Sequence, residues 1–471
     1  MCPTPRGSTL LNWPNSPAKQ EVFVPQAALP AILARFGTSS DEVLRRAQQI
    51  FAETLGVASA ASENKRELVR QFDFEAMTRA VNLVHWGRSG SFLFASYLDH
   101  HPEIVMLPML TSMGIYAFFE QYAGLSIWEK LLAYPAYSEL KNRSAADFFL
   151  KDNPDGNIAI NAADFHAAVQ ALLAEYSGMP ASWLESRPRF FQMLQAAHSV
   201  AGGQRLETRR PVMVWAQHYW DQEWALRFAE DFPDGQFIHT IRDPITGIDS
   251  WFGRQMEMEI EDYGFRPELA PRYLDPALGT LVAMLRWDSA HAGTHARSRA
   301  VRFEDMHLEP EALMRRVAQW IGVAYNPCLL DSTWNGAAYV VTIRGMPTCG
   351  PNPVNAQRRH KYLNWADRLL VFALLHGNFT AWRYPYPKAM QSVWLRLCTL
   401  GALWLVPMRM ELTTLSLVIR RQAIPAWRNG RVKFALDAPF FLLARRLRMM
   451  LLIASEARAR MRGKRPILQL L

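Results

Sequence analysis

The stretch VHWGRSGSFLFASYLDHHPEI, residues Val84 to Ile104, places one arginine between small residues, after an apolar run and before a segment of helical composition. Its loop, Trp86 to Ser91, is predicted to turn a strand into a helix. Glycines let the backbone approach a ligand, the helix start offers free N–H groups and the positive end of its dipole, and serines add hydroxyls. The pattern predicts an anion site with Arg88 as a permanently charged ligand. The alternative is an ordinary turn with a solvent-facing arginine, and the GxxxxGK[ST] spacing of a Walker A loop is absent.

A second stretch, FIHTIRDPITGIDSWF, residues Phe237 to Phe252, repeats this design. Arg242 ends an apolar strand, Asp243 and Pro244 are expected as the N-cap and first residue of a helix, and Ser250 follows about two turns later. Arg242 and Ser250 are therefore predicted to grip a second phosphate. Two arginines that each end a strand beside a helix N-terminus suit a ligand with anions at both ends.

Together the two stretches resemble the sulfotransferases that use 3′-phosphoadenosine 5′-phosphosulfate (PAPS), and the bacterial and carbohydrate-type branches fit best. The resemblance covers roughly Arg79 to Leu330. It implies that PAPS is the donor co-substrate. No structural metal is expected, because the four cysteines lack the close spacing of a zinc site. The residues that it implies for the PAPS site are Arg88, Ser89, Gly90, Ser91, Phe92, Arg242 and Ser250. Phe92 is a departure, because relatives commonly carry a second hydroxyl residue there.

The resemblance further implies transfer of a sulfuryl group to a hydroxyl or amine, with Arg88 neutralising charge and a base accepting the acceptor's proton. His218 is the first candidate for the base, although Ala216 stands where the soluble branch has lysine. Glu223 is the second. A hydrogen-bonded structural histidine and a solvated helix glutamate are the alternatives. A late loop from Arg344 to Trp365 resembles the segment that folds over the nucleotide, which adds Arg344, Arg358 and Arg359 as candidates for phosphate contact.

Short apolar runs predict the fold class. Most of them lead into helical patterns, which favours an α/β fold with a P-loop-like parallel sheet flanked by helices. The predicted strands are Ala80 to Val84, Ile104 to Leu107, Val212 to Trp215, Phe237 to Ile241 and Ala300 to Phe303. The predicted domains are an irregular or helical extension over 1–75, a sulfotransferase-like domain over 76–387 with a helical insertion at 109–207, and a helical tail over 388–471.

The tail differs from the rest in charge. From Lys388 onward there are 16 Lys and Arg against 3 Asp and Glu, a net of +13, whereas the preceding 387 residues have a net of −4. The apolar run from Leu397 to Met408 is short for a bilayer span. Basic amphipathic helices of this kind fit an anionic membrane surface or a subdomain docked on the catalytic body.

The cysteines and the first residues of the chain indicate which compartment and which partners to expect. The four cysteines are scattered, and the first twenty residues lack a secretory apolar core, so we expect reduced thiols and a cytoplasmic protein, peripheral to the membrane if the tail binds lipid. The expected acceptor is a small molecule, lipid or glycan, with no nucleic acid. A nucleotide or sugar kinase of related architecture and a non-catalytic, membrane-associated nucleotide-binding protein stay open as alternatives.

Overall fold

The structure is a computed structural model that describes residues 10–12, 21–23, 63–85, 88–107, 115–134, 162–217, 222–257, 278–287, 293–343, 346–357, 361–464 and 466–471. Its centre is a six-stranded parallel sheet in the order β12-β7-β6-β3-β5-β4. These strands are β3 (Ala80–His85), β4 (Ile104–Met106), β5 (Val212–Gln217), β6 (Gln236–Ile241), β7 (Ser298–Arg302) and β12 (Gln469–Leu470).

Three antiparallel pairs complete the described strands. They are β1 (Leu10–Asn12) with β2 (Glu21–Phe23), β8 (Thr333–Trp334) with β9 (Ala337–Ala338), and β10 (Val340–Ile343) with β11 (Met346–Cys349).

The described α-helices alternate with the strands of the main sheet, as parallel pairing requires. Those before Leu330 are α1 (Glu63–Arg70), α2 (Ser91–Leu98), α3 (Ile115–Gln121), α4 (residues 127–134), α5 (Ala162–Tyr176), α6 (Ala181–Leu184), α7 (Arg187–Ala201), α8 (Gln222–Asp231), α9 (Pro244–Glu257), α10 (Thr280–Trp287), α11 (Phe303–Leu308) and α12 (Pro310–Ile321). Those after it are α13 (Trp365–Leu374), α14 (His376–Ala381), α15 (Val393–Leu405), α16 (Arg409–Val418), α17 (Ile424–Arg428) and α18 (Val432–Met461).

The predicted fold class is therefore confirmed, and each of the five predicted strands is present within a few residues of its expected ends. The helix α12 starts at Pro310 and stops where Gly322 takes the left-handed φ of 74°. The predicted domain boundaries stay predictions.

The described residues form two compact units. The first comprises residues up to Val84, Ser91–Ile238 and Met306–Asn352, and it contains β3, β4 and β5. All six residues of β5 are buried, as expected of a parallel strand covered on both faces. Its Trp215 stacks on Phe228 of α8 at 5.6 Å between ring centroids and meets the edge of Tyr116 of α3 at 4.9 Å.

The second unit comprises His85–Gly90, His239–Asp305 and Pro353–Leu471. Its core joins α9 and α10 to the helices that follow α12. The tail takes part in that core through Leu403, Met408, Met410, Met449, Met450, Ile453 and Leu468. The chain end adds β12 to the sheet, with Gln469 opposite Arg299 and Leu470 opposite Ala300. The sequence pattern did not predict this strand.

Candidate active site

The loop after β3 has the backbone geometry of an anion-binding turn. Arg88 and Gly90 take φ values of 73° and 81°, so two left-handed residues bracket Ser89. Such conformations gather N–H groups into a concavity, and a side chain at Gly90 would be strained. Ser89 is buried and shares a hydrogen bond of 2.7 Å with Thr240 of β6. The loop is therefore fixed to the neighbouring strand, and Ser91 begins α2 directly after it.

The end of β6 has the helix start that the sequence predicts. Asp243 accepts hydrogen bonds from the backbone N–H of Thr246 at 2.9 Å and from its hydroxyl at 3.0 Å, which is N-cap geometry. Pro244 is the first residue of α9. Ser250 lies on the second turn of this helix, as predicted.

The second unit brings three of the predicted ligands together. Arg242 donates from Nη1 to the carbonyl oxygen of Arg88 at 3.1 Å, and Arg88 donates from Nε to Oγ of Ser250 at 3.3 Å. The strand-ending arginine, the loop arginine and the helix serine are thus linked through two consecutive hydrogen bonds. This arrangement gathers two positive charges beside a helix N-terminus, which is the environment that binds a phosphate or sulfate group.

Arg242 is held in place from several sides. Its guanidinium carbon lies 4.2 Å from the centroid of the Phe303 ring, while its Nε has no hydrogen-bond partner among the described residues. Burial lowers the pKa of Arg242, and the nearby Glu304 carboxylate acts in the opposite direction. Because arginine stays protonated at any physiological pH, the result is a fixed cation with one buried donor that no described residue uses.

Glu304 and Tyr384 support this strand end. Oε1 of Glu304 accepts a hydrogen bond from the backbone N–H of Asp243 at 3.1 Å, and its Oε2 accepts one of 2.6 Å from the Tyr384 hydroxyl. Burial raises the pKa of Glu304 and raises the pKa of Tyr384 far above its usual range. The glutamate therefore serves both as a counter-charge near Arg242 and as a brace for the residue that follows it.

Asp249 forms a second support, beside Ser250. Its buried carboxylate accepts three backbone hydrogen bonds, from Lys361 at 2.9 Å, Tyr362 at 2.7 Å and Leu363 at 2.9 Å. Arg358 and Arg359, predicted for this late loop, lie outside the described residues, but they precede Lys361 by only three and two positions. The three hydrogen bonds to Asp249 therefore tie the end of that loop to α9.

The other predicted residues divide into two groups. Phe92 packs against Trp334 in the first unit, with ring centroids 6.5 Å apart and planes at 64°. His218 and Arg344 lie outside the described residues, and of Glu223 only the backbone, in α8, is described. The structure therefore tests neither candidate for the base.

A cavity of about 430 Å³ lies elsewhere, at the amino ends of the strands of the first unit. Its lining includes Ala80, Val212 and Gln236, the first residues of β3, β5 and β6. Ligands of open α/β sheets bind at the carboxyl ends instead, where Arg88 and Arg242 lie. Among the described residues, no group of three or more His, Cys, Asp or Glu side chains could hold a metal ion.

Comparison with known proteins gives the family. The model of the sulfotransferase family matches residues 83–327, which is more than half of the chain and includes both strand-end motifs. The chain belongs to the sulfotransferase family. It is thus a sulfotransferase enzyme, and no curated protein matches its sequence.

Solved structures similar to this sulfotransferase include a sulfotransferase domain from the curacin biosynthetic pathway, with 16% identity over 66% of this chain and 98% of that one and a TM-score of 0.35. A sulfotransferase domain of the Synechococcus PCC 7002 olefin synthase has 18% identity over 54% and 76% of the two chains, with a TM-score of 0.29. A Mycobacterium avium sulfotransferase has 12% identity over 53% and 65%, with a TM-score of 0.26.

Sequence reasoning missed both supporting carboxylates of this sulfotransferase. Glu304 had a visible signal, since a carboxylate two residues after the end of β7 stands where strand-end ligands cluster. Asp249 had no such sequence signal, because an aspartate within an amphipathic helix is ordinarily exposed to solvent. Only the hydrogen bonds to residues more than a hundred positions away identify its role.

Proposed function

We propose that this sulfotransferase uses PAPS as its donor and transfers the sulfuryl group to a hydroxyl or amine of a small-molecule, lipid or glycan acceptor. The observation that carries the proposal is the linked set of Arg88, Arg242 and Ser250, in which two arginines and a serine converge at the ends of β3 and β6. A donor with a phosphosulfate at one end and a phosphate at the other matches two adjacent cationic strand ends.

The residues present fit such a donor. Arg242 offers a buried Nε donor with no partner among the described residues, and the left-handed turn at Arg88 and Gly90 offers backbone N–H groups. In this proposal the 3′-phosphate is held by Arg242 and Ser250, and the 5′-phosphosulfate by Arg88, Ser89, Gly90 and Ser91. On donor binding, Arg88 and Ser250 would contact the anion in addition to, or in place of, their mutual hydrogen bond of 3.3 Å.

When bound, PAPS supplies an activated sulfuryl group, whose bond to the 5′-phosphate oxygen breaks as the acceptor oxygen or nitrogen forms a new bond to sulfur. The protein contributes mainly position and positive charge, as in phosphoryl transfer. Arg88 and the loop N–H groups stabilise the charge that develops on the leaving phosphate. Glu304 and Asp249 act on other residues, by bracing the strand end and the late loop.

The acceptor's proton requires a base within hydrogen-bond reach. We assign this role first to His218, which follows β5, and second to Glu223 at the start of α8. A neutral imidazole has a pKa close to physiological pH and can take a proton directly. No metal is required for any of these roles.

The first prediction tests the donor site by calorimetry with adenosine 3′,5′-bisphosphate. A hydrogen bond to a charged group contributes about 1.5 to 3 kcal/mol. Arg242→Ala should therefore weaken binding at least about tenfold. Arg242→Lys should weaken it less, because it keeps the charge but loses the planar fork of donors.

Arg302→Ala is the matched control. Arg302 also ends a strand, but its guanidinium is engaged in two hydrogen bonds with Asp305, at 2.9 and 2.6 Å. Arg302→Ala should therefore leave the affinity for the bisphosphate nearly unchanged. Equal affinities for Arg242→Ala and the unaltered protein would remove Arg242 from the site, and tighter binding of ATP than of the bisphosphate would favour a kinase instead.

The second prediction concerns the base. His218→Ala should lower turnover about a hundredfold or more and leave bisphosphate affinity intact, because a base acts in transfer and hardly in donor binding. Turnover is measured with radiolabelled PAPS on an acceptor found by screening extract fractions. If His218→Ala retains activity and Glu223→Gln abolishes it, the carboxylate is the base.

A further inference from the structure

The tail carries an unusual share of exposed apolar surface. Among the described residues, 20 large apolar side chains are exposed, and 16 of these lie between Val393 and Met461. Large exposed apolar patches on a folded protein mark interaction surfaces. The core of the second unit therefore covers only one side of these helices, and the other side is exposed.

Helix α15 shows this division most clearly. Trp394, Leu397, Gly401, Trp404 and Leu405 recur at helical spacing and are all exposed, and we call these five residues the outer stripe of α15. Trp394 is 78% and Leu405 is 85% exposed. On the opposite side, Leu403 is buried in the core. The exposed face of this helix is therefore apolar although its opposite side already packs in the core, whereas a surface helix ordinarily exposes polar residues.

The end of α15 is a fixed corner. Arg446 of α18 donates to the carbonyl oxygens of Leu403, Trp404 and Val406, and it forms an ion pair of 2.9 Å with Glu411 of α16. Glu411 also accepts a hydrogen bond of 2.9 Å from the backbone N–H of Met408. Pro407 disfavours a helical conformation at Val406, which is extended with φ −108° and ψ 117°, and these contacts fix the corner between α15 and α16.

This corner argues against a membrane span. By length and composition alone, Val393–Leu417 would be long and apolar enough to cross a bilayer, and only 17% of its most apolar window is buried. However, α15 itself has 13 residues. At about 1.5 Å per residue it reaches about 20 Å, against a hydrocarbon thickness of about 30 Å. A short helix with an apolar outer stripe suits the plane of the membrane interface instead.

The charges of the tail favour an anionic surface. Two of its three acidic residues are buried in ion pairs, Glu411 with Arg446 and Glu456 with Arg286, the latter at 2.7 Å. Neither can offset the basic side chains that are exposed. These include Arg409, Arg420, Arg428, Arg431, Lys433, Arg448, Arg458, Arg462 and Lys464. Basic residues near an anionic leaflet each add about 1 kcal/mol of attraction.

We propose that the outer stripe of α15 lies in the headgroup and acyl boundary of an anionic phospholipid bilayer, with the exposed arginines and lysines of the tail contacting lipid phosphates. Tryptophan and leucine are the side chains that interfacial helices insert at this depth. The proposal goes beyond sulfuryl transfer, because it assigns a partner to a surface of the second unit by contacts that involve neither donor nor acceptor.

The experiment is sedimentation of the full-length protein with vesicles of phosphatidylglycerol and phosphatidylcholine, and with vesicles of phosphatidylcholine alone. The protein should pellet with the anionic vesicles at low salt and much less at high salt. The double variant Trp394→Ser with Leu397→Ser should lower the partition coefficient at least about tenfold, since it removes two inserted apolar side chains. Both positions are exposed, so the variant should fold.

The matched control replaces one exposed tryptophan and one exposed leucine outside the tail, Trp365→Ser with Leu308→Ser. Their exposed fractions, 70% and 57%, are close to the 78% and 54% of Trp394 and Leu397. This control should bind vesicles as the unaltered protein does. An equal loss in both variants would overturn the role of α15.

Three further results would overturn the proposal. Protein that stays in the supernatant with anionic vesicles at low salt has no such surface. Protein that resists extraction by high salt and alkaline carbonate spans the bilayer. Protein that pellets or dimerises without vesicles uses the stripe for self-association. None of these readouts depends on PAPS binding, so the proposed function stands or fails separately.

Discussion

Arg242 shows how a single partly buried charge is held at a site. A guanidinium without a counter-charge is costly away from water, and Glu304 supplies that counter-charge while bracing the neighbouring Asp243 through its backbone N–H. Arg242 is thereby fixed before any anion arrives. Because little reorganisation is left for binding, a pre-positioned arginine of this kind binds phosphate more tightly than a mobile one.

The third prediction concerns Asp249. Asp249→Asn keeps the size of the side chain but removes the charge that three backbone N–H groups share. We expect the free energy of unfolding to fall by about 1 to 3 kcal/mol, as for loss of charged hydrogen bonds. If the late loop contacts the nucleotide, bisphosphate affinity should also fall about threefold or more, and residues near Arg358 should become easier to cleave by trypsin.

The measurements are calorimetry, denaturant unfolding and limited proteolysis. Asp305→Asn is the control, because Asp305 is paired with Arg302 through its side chain and holds no part of the late loop among the described contacts. A variant of Asp249 that loses stability but binds the bisphosphate as before would leave Asp249 with a purely structural role.

Among the elements, those with local signals were predictable from the sequence. The turn from β6 into α9 is encoded by an apolar run followed by Asp243 and Pro244, and α12 by Pro310 at its start and Gly322 beyond its end. Each of these signals acts over a few residues, through caps, dihedral restrictions and burial of one face. The two strand-end motifs, and with them the candidate anion site, are therefore predictable from residues close together in the chain.

Elements that depend on distant partners were not predictable. The strand β12 has two residues, and its pairing with β7 joins positions 170 residues apart, such as Gln469 and Arg299. The corner after α15 likewise depends on Arg446, some forty residues away. Periodicity indicates that a residue is buried but not which residues bury it, so β12 has no signature in its own segment. At the corner after α15 the helix break has a local signal in Pro407, but the contacts of Arg446 have none.

For the whole molecule, the sequence left two interpretations of the tail open, a membrane surface and a docked subdomain. The structure gives the tail both kinds of surface. Its inner side lies in the core of the second unit through Leu403, Met450 and Ile453, and its outer side is exposed. Removing the tail is consequently a test of folding, whereas substitution of exposed residues is the test of membrane binding.

The last prediction follows from that division. Truncation after Pro387 removes β12, several core side chains and Glu456. Loss of Glu456 breaks its buried ion pair with the guanidinium of Arg286. Breaking a buried pair from one side costs about 3 to 5 kcal/mol, a large part of the stability of an ordinary domain. The truncated protein should therefore be insoluble with or without lipid, whereas the full-length double variant Trp394→Ser with Leu397→Ser should be soluble. Expression, size-exclusion chromatography and thermal unfolding measure the difference. A soluble truncated protein with a cooperative transition near that of the full chain would mean that the catalytic part folds without its tail.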